Sequence, residues 1–210
     1  MLEQPLKFLV VFFVVVEPIS LIPLFSGLTL GATAKYRRRM ALKAVLVAAA
    51  ILVVFALGGA AFLDLMGISL QAFRIFGGML LFLLSLEMVF ARESGTRTSS
   101  SEAAESRRRA DISVFPLAFP FIAGPGALAT ILLWFGPLHL GENAGLFAAY
   151  LLAVAIVLVI SLVLMLLAEP LMRVIGVTGA NVAGRLLGVI LGALAVQFVL
   201  DGLRQAFGVG

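Results

Sequence analysis

One acidic residue, Glu17, stands inside an otherwise apolar run, and Pro18, Ser20 and Pro23 follow it closely. Farther along, Pro120-Phe121-Ile122-Ala123-Gly124-Pro125-Gly126 interrupts a second apolar run, with Thr130 just beyond. A carboxyl in hydrocarbon costs about 2.5–3.5 kcal/mol, so it is expected to face the protein interior and to have a task. Three tasks suit it: carrying a proton, meeting a coupling cation, or pairing with a substrate ammonium group. The competing reading is a neutral glutamic acid hydrogen-bonded to backbone freed at the break. Proline removes a backbone donor and clashes with the preceding turn. Each break therefore predicts a new helix start, near Ser20 and near Gly126, with free N–H groups and a positive dipole end. Such an end suits a substrate carboxylate. The candidate substrate-binding residues are Glu17, Pro18, Ser20, Pro23, Gly124, Pro125, Gly126 and Thr130, with Glu17 also the candidate coupling group. The hydroxyls of Ser20 and Thr130 suit hydrogen bonds to a substrate, and equally to their own helix backbone.

The elements that must position these residues are membrane-spanning helices. Of the 210 residues, 62% are hydrophobic and 12% charged, with mean hydropathy +1.18. A soluble domain carries about a quarter charged residues. Six apolar segments are predicted: roughly Pro5–Leu30, Lys43–Leu63, Phe73–Ala91, Ile112–Phe135, Gly145–Ala168 and Val182–Phe207. Those of full length suffice to cross a hydrocarbon core of about 30 Å. Within the first, Glu17 lies eleven residues beyond Leu6, roughly 16 Å deep at 1.5 Å per residue and so near midplane.

Charge sits in the connections. Lys35, Arg37, Arg38, Arg39 and Lys43 lie between segments one and two. Arg92, Arg97, Arg107, Arg108 and Arg109 lie between three and four, and Arg173 and Arg185 between five and six. The other side holds only Lys7, Arg74 and Arg204. This bias predicts cytoplasmic basic loops and both termini outside. The pI near 10.1 is thereby read as topology rather than as nucleic-acid binding.

The chain also repeats itself. Phe73-Arg74-Ile75-Phe76-Gly77-Gly78 resembles Gly184-Arg185-Leu186-Leu187-Gly188, and each follows a similar element, Met66-Gly67-Ile68 and Ile175-Gly176-Val177. The two breaks fall at comparable offsets. The fold class expected is thus an all-α membrane protein with six transmembrane helices in two inverted three-helix repeats, the first and fourth helices broken at mid-membrane. Residues 1–91 form the first repeat, 92–111 a flexible cytoplasmic linker and 112–210 the second repeat. Inverted repeats of this kind place a site near midplane. Gly77, Gly78, Gly184, Gly188 and Gly192 are expected to serve close helix packing, within one chain or against a second copy of it.

Other chemistries find little support. Cysteine is absent and His139 is the lone histidine, so neither thiolate nor metal chemistry is expected. Zincin, nucleophile-elbow and Walker motifs are missing, so no enzyme activity and no cofactor is expected beyond a coupling H+ or Na+. Arg74 and Arg185 read as interface anchors. Asp64, Glu87, Glu169 and Asp201 read as solvated groups at segment ends.

The pattern resembles the MarC family of integral membrane proteins, which includes small neutral amino acid transporters. The resemblance rests on Ile22-Pro23-Leu24-Phe25, on Ile122-Ala123-Gly124-Pro125-Gly126-Ala127, and on Arg74-Ile75-Phe76-Gly77-Gly78 with Gly184-Arg185-Leu186. It implies a six-helix, ion-coupled secondary transporter of glycine, alanine or similar solutes in the inner membrane, with lipid and a small molecule as partners. The resemblance leads one to expect Asn or Asp before the first proline. Glu17 departs from that pattern, and the longer acid would change substrate size or add proton coupling. A passive channel for small polar solutes, an exporter of another small metabolite and a non-transporting scaffold are the alternatives.

Overall fold

The computed structural model describes residues 3–90, 111–138 and 140–208. Among them there is no strand. The predicted linker lies outside the described residues except for Asp111, and His139 lies outside them as well.

The first apolar run forms α1 (Glu3–Val16), a 3₁₀ turn (Pro18–Ser20) and α2 (Leu21–Leu28). The helix stops because Glu17 adopts φ 56°, ψ 57°, the left-handed region, and Pro18 cannot continue a helical ladder. Pro23 is tolerated inside α2 because it sits in the first turn, where a backbone N–H has no intrahelical partner. Thr33 then caps α3 (Ala34–Leu65), its hydroxyl oxygen accepting from the Tyr36 N–H. A turn through Gly67, at φ 68°, leads to α4 (Leu70–Phe90).

After the linker, Ser113–Ile122 is an irregular, π-type segment with extended backbone at Phe115 and Phe119, each followed by a cis-proline. It joins α5 (Pro125–Phe135) at a bend of 54°. Helix α6 (Leu140–Leu166) precedes α7 (Ala168–Phe207). Backbone at Gly176 (φ 65°, ψ 174°) breaks α7 into a short arm and a span from Thr178. The membrane-length count expected from sequence is met by five long apolar helices, with the bent pair Ser113–Ile122 and Pro125–Phe135 as the sixth. The sequence-based start of the sixth segment at Val182 falls late, because the arm before Gly176 is also helical.

Core packing places the broken elements inside. The α1–α2 unit is the most buried span, and its Phe8, Phe12, Leu21 and Phe25 are almost fully enclosed. Phe8, Trp134, Phe135, Phe147 and Tyr150 form one aromatic cluster that ties α1 to α5 and α6. Within it the Phe8–Tyr150 and Phe135–Phe147 ring centroids are each 4.9 Å apart. Such pairs contribute about 0.5–1.5 kcal/mol each beyond area burial.

The most extensive helix–helix contact is α4 against α7, and glycines set its closeness. A Cβ built on Gly78 would lie 2.8 Å from the Ala195 carbonyl oxygen, and one on Gly188 would lie 2.8 Å from Met88 Cβ. One on Gly192 would lie 3.0 Å from Ser85 Oγ. Gly77 instead faces α5, 2.9 Å from Ala129 Cβ. The helices meet backbone to backbone, the small-residue mode by which helices associate in lipid.

Candidate functional site

Glu17 ends α1 with its side chain almost completely enclosed, 3% exposed. Its backbone carbonyl accepts from the Ser20 N–H at 3.1 Å, closing the turn. That geometry brings the Ser20 hydroxyl onto the carboxyl, and Ser20 Oγ donates to Glu17 Oε1. Directly opposite lies Gly184 of α7. A Cβ there would be 3.6 Å from Glu17 Oε1 and 3.9 Å from Ser20 Oγ. The last helix therefore presents bare backbone to the carboxyl, with room for one methyl group and little more. Pro18 is buried within the same turn, while Pro23 lies one helical turn farther along.

The second break is built from backbone. Gly124 caps α5 in extended conformation (φ −74°, ψ 174°), and a side chain on it would collide with the Pro120 carbonyl. Pro125 occupies the first helical position, where its missing N–H costs nothing. The N–H groups of Gly126 and Ala127 fall among those a helix start leaves without an intrahelical partner. Both residues line a cavity of about 40 Å³, together with Pro120, Phe121, Gly124 and Pro125, Val15 of α1 and Leu80 and Leu84 of α4. One water occupies about 10–15 Å³ on this measure, so the space matches about three water-sized groups. Thr130, fully buried one turn on, donates its hydroxyl to the Gly126 carbonyl at 2.9 Å. This is the back-bonding use of a threonine in a helix.

The two breaks are neighbours, and the cavity at the second is not lined by Glu17, Pro18, Ser20 or Pro23. The turn and helix that carry Glu17, Pro18, Ser20 and Pro23 pack on α6 and α7, whereas Gly124, Pro125 and Gly126 line the cavity with Leu80 and Leu84 of α4 and Val15 of α1. Val15 joins them: it lines the cavity, lies 3.3 Å from a Cβ built on Gly126, and precedes Glu17 by two residues. The carboxyl and the helix end thus occupy opposite sides of one short strip of α1.

Three features escaped the sequence reading. The first is the position of Gly184 against Glu17, since a glycine pattern reports packing without naming the partner. The second is Pro116, which distorts the segment as Pro120 does. The third is a set of ion pairs at the basic end. Arg37 pairs with Glu169, whose other oxygen accepts from Arg173 at 2.8 Å. Lys43 pairs with Asp111 at 2.5 Å, and the Ser113 N–H donates to the other Asp111 oxygen at 2.9 Å. Hydrogen bonds from Lys43 and Ser113 hold the Asp111 carboxyl down at about 2. Bonds from Arg37 and Arg173 lower that of Glu169 as well. Glu169, read from sequence as solvated, is an ion-pair bridge. Among the described residues no cluster of three His, Cys, Asp or Glu is arranged to hold a metal.

Comparison with known proteins agrees with this architecture. The model of the MarC family, integral membrane proteins, matches residues 2–207. The chain is similar to the UPF0056 membrane protein YhcE of Escherichia coli (33% identical, over 96% of this chain and 92% of that protein). It is similar to the UPF0056 membrane protein YvbG of Bacillus subtilis (34%, over 93% and 92%). A UPF0056 membrane protein of Archaeoglobus fulgidus is 32% identical, over 92% and 89%. No solved structure matches the chain significantly.

Proposed function

The chain belongs to the MarC family of integral membrane proteins, and from that premise we propose that it is a secondary transporter of small neutral amino acids, glycine- or alanine-like, driven by an ion gradient. The observation that carries this reading is the buried Glu17 carboxyl at a helix break, beside a second break whose helix start borders a small cavity. Broken helices at membrane depth persist where they line protein or a cavity, and in transporters they form the substrate site.

In this mechanism the start of α5, at Pro125 and Gly126, receives the substrate carboxylate through its free N–H groups and dipole end. Glu17 meets the ammonium group or carries the coupling proton, and Ser20 orients it by donating to Oε1. Substrate binding would draw the two sides of the Val15 strip together. The cavity scale favours glycine or alanine over a bulkier amino acid. The two halves, each opening with a broken span, act as inverted repeats, with the basic loops cytoplasmic, both termini outside, and the inner membrane as location. The protein is read as non-enzymatic, and Thr130 as shaping the helix start through the Gly126 carbonyl.

Uptake of labelled glycine and alanine into proteoliposomes, with and without a proton or sodium gradient, tests the reading. Accumulation above equilibrium that collapses with the gradient is the expected result. Flux that never exceeds equilibrium would make the protein a channel, and absence of flux across a panel of small amino acids would overturn the substrate class.

A further inference from the structure

We propose that Lys35, Arg38 and Arg39, on the outward face of α3, form a binding site for the phosphate headgroup of an anionic membrane lipid. The basic residues of this helix divide by face. Arg37 and Lys43 turn toward the rest of the protein, where they pair with Glu169 and Asp111. Lys35, Arg38 and Arg39 are exposed, and none forms an ion pair with another described residue.

Their direction identifies the ligand. At about 100° per residue the three lie within one sector roughly 100° wide, and Leu42, Leu46, Val53 and Leu57 fall in the same sector farther along. Those four are exposed apolar residues, Leu46 at 69% and Leu57 at 58%. The opposite face, with Met40, Ala41, Ala44, Ala48 and Leu52, is buried. One face of α3 is therefore an apolar stripe topped by three cations, the profile of a single lipid: acyl chains along Leu42 and Leu46, phosphate at Arg38 and Arg39. Arg38 to Leu46 spans about 12 Å at 1.5 Å per residue, so the cations sit just above the apolar stripe. Two further features of the helix favour an anion. Its first turn contains no acidic residue, and cations near a helix N-terminus face the unfavourable end of the dipole. A phosphate there offsets both. Arginine suits the task because its planar fork matches phosphate oxygens in pairs.

The test uses the full chain in nanodiscs. Thermal unfolding is followed in phosphatidylcholine discs and in discs with increasing phosphatidylglycerol, and co-purified lipid is counted by native mass spectrometry. The unaltered protein is expected to retain phosphatidylglycerol and to unfold at higher temperature as its fraction rises. A K35Q/R38Q/R39Q variant should bind the anionic lipid about a hundredfold more weakly, near fivefold per cation lost. Inorganic phosphate in solution should give no shift, which separates a lipid from a free anion. R38K/R39K, which keeps the charge, should retain most of the response and guards against a folding defect. Equal anionic-lipid retention by the unaltered and triple-glutamine proteins would overturn the site. So would an identical response to phosphatidylcholine, or a shift produced by inorganic phosphate alone.

Discussion

Arg37 of α3 donates to the carboxylate of Glu169 in the α7 arm, a partner 132 positions away in sequence. Glu169 is then shared, with Arg173 on its other oxygen. Because both cations lower its carboxyl, the stabilisation is present above the ordinary glutamate range and is lost as pH falls through the depressed value. A double-mutant cycle of Arg37→Gln and Glu169→Gln, measured by thermal unfolding in detergent, should show favourable coupling at neutral pH. The coupling should fade in acid and shrink in high salt, as expected for a partly exposed pair.

Asp111 makes a sharper case. Its carboxyl is held at about 2, against an ordinary 3.8, so its contribution is complete above about 4 and disappears as pH drops toward about 2. Asp111→Asn should lower stability at neutral pH by no more than about 1 kcal/mol, once screening of a side chain 43% exposed is allowed for. Unfolding midpoints of the two proteins should converge near pH 2. A constant difference at all pH values would show that the loss does not come from the ionised Asp111 carboxylate and its bonds to Lys43 and Ser113.

The glycines of α4 and α7 are predicted to separate by partner. Gly188→Ala meets Met88 Cβ at 2.8 Å and the Ser85 carbonyl at 3.2 Å, and Gly78→Ala meets the Ala195 carbonyl at 2.8 Å. Each should destabilise by about 1–3 kcal/mol, the usual cost of overpacking. Gly184→Ala finds only ordinary contact distances and should fold nearly as well as the parent. Gly184→Leu should keep the fold at lower stability and lose uptake, because its side chain enters the space beside Glu17. Thermal unfolding and proteoliposome uptake on the same preparations check both halves of the claim.

Glu17 holds a left-handed backbone that costs a side-chain-bearing residue about 1–2 kcal/mol. Asn tolerates that conformation better, so Glu17→Asn should match or exceed the parent in thermal stability. If the carboxyl carries the coupling proton, the same variant, and Glu17→Gln with it, should lose the pH dependence of uptake. An unchanged pH profile would remove Glu17 from coupling while leaving its place in the turn intact.

Much of this was legible in the residues. Helices and breaks follow from hydropathy and from Pro18, Pro23, Gly124 and Pro125, because backbone chemistry acts locally. What could not be read is which surfaces meet. The sequence places Ser20 and Gly126 each at a helix start but does not name their neighbours: Ser20 lies beside Gly184 of α7, and Gly126 lies against Leu81 of α4 and Val15 of α1. Arg37 and Lys43 looked like plain loop charges because their partners, Glu169 and Asp111, lie far along the chain. Pro116 passed unnoticed because one more proline in an apolar segment carries no signal of its own.

The glycine-lined contact of α4 with α7 has a mechanical meaning. At Gly78, Gly188 and Gly192 the approach is too close for even a methyl group without a shift of its neighbours, which leaves little slack to absorb a displacement. The two helices should therefore behave as a single stiff rod. Any alternation of access would then have to originate in the jointed pieces around Glu17, Gly124 and Gly176, with the rod as the frame against which they swing.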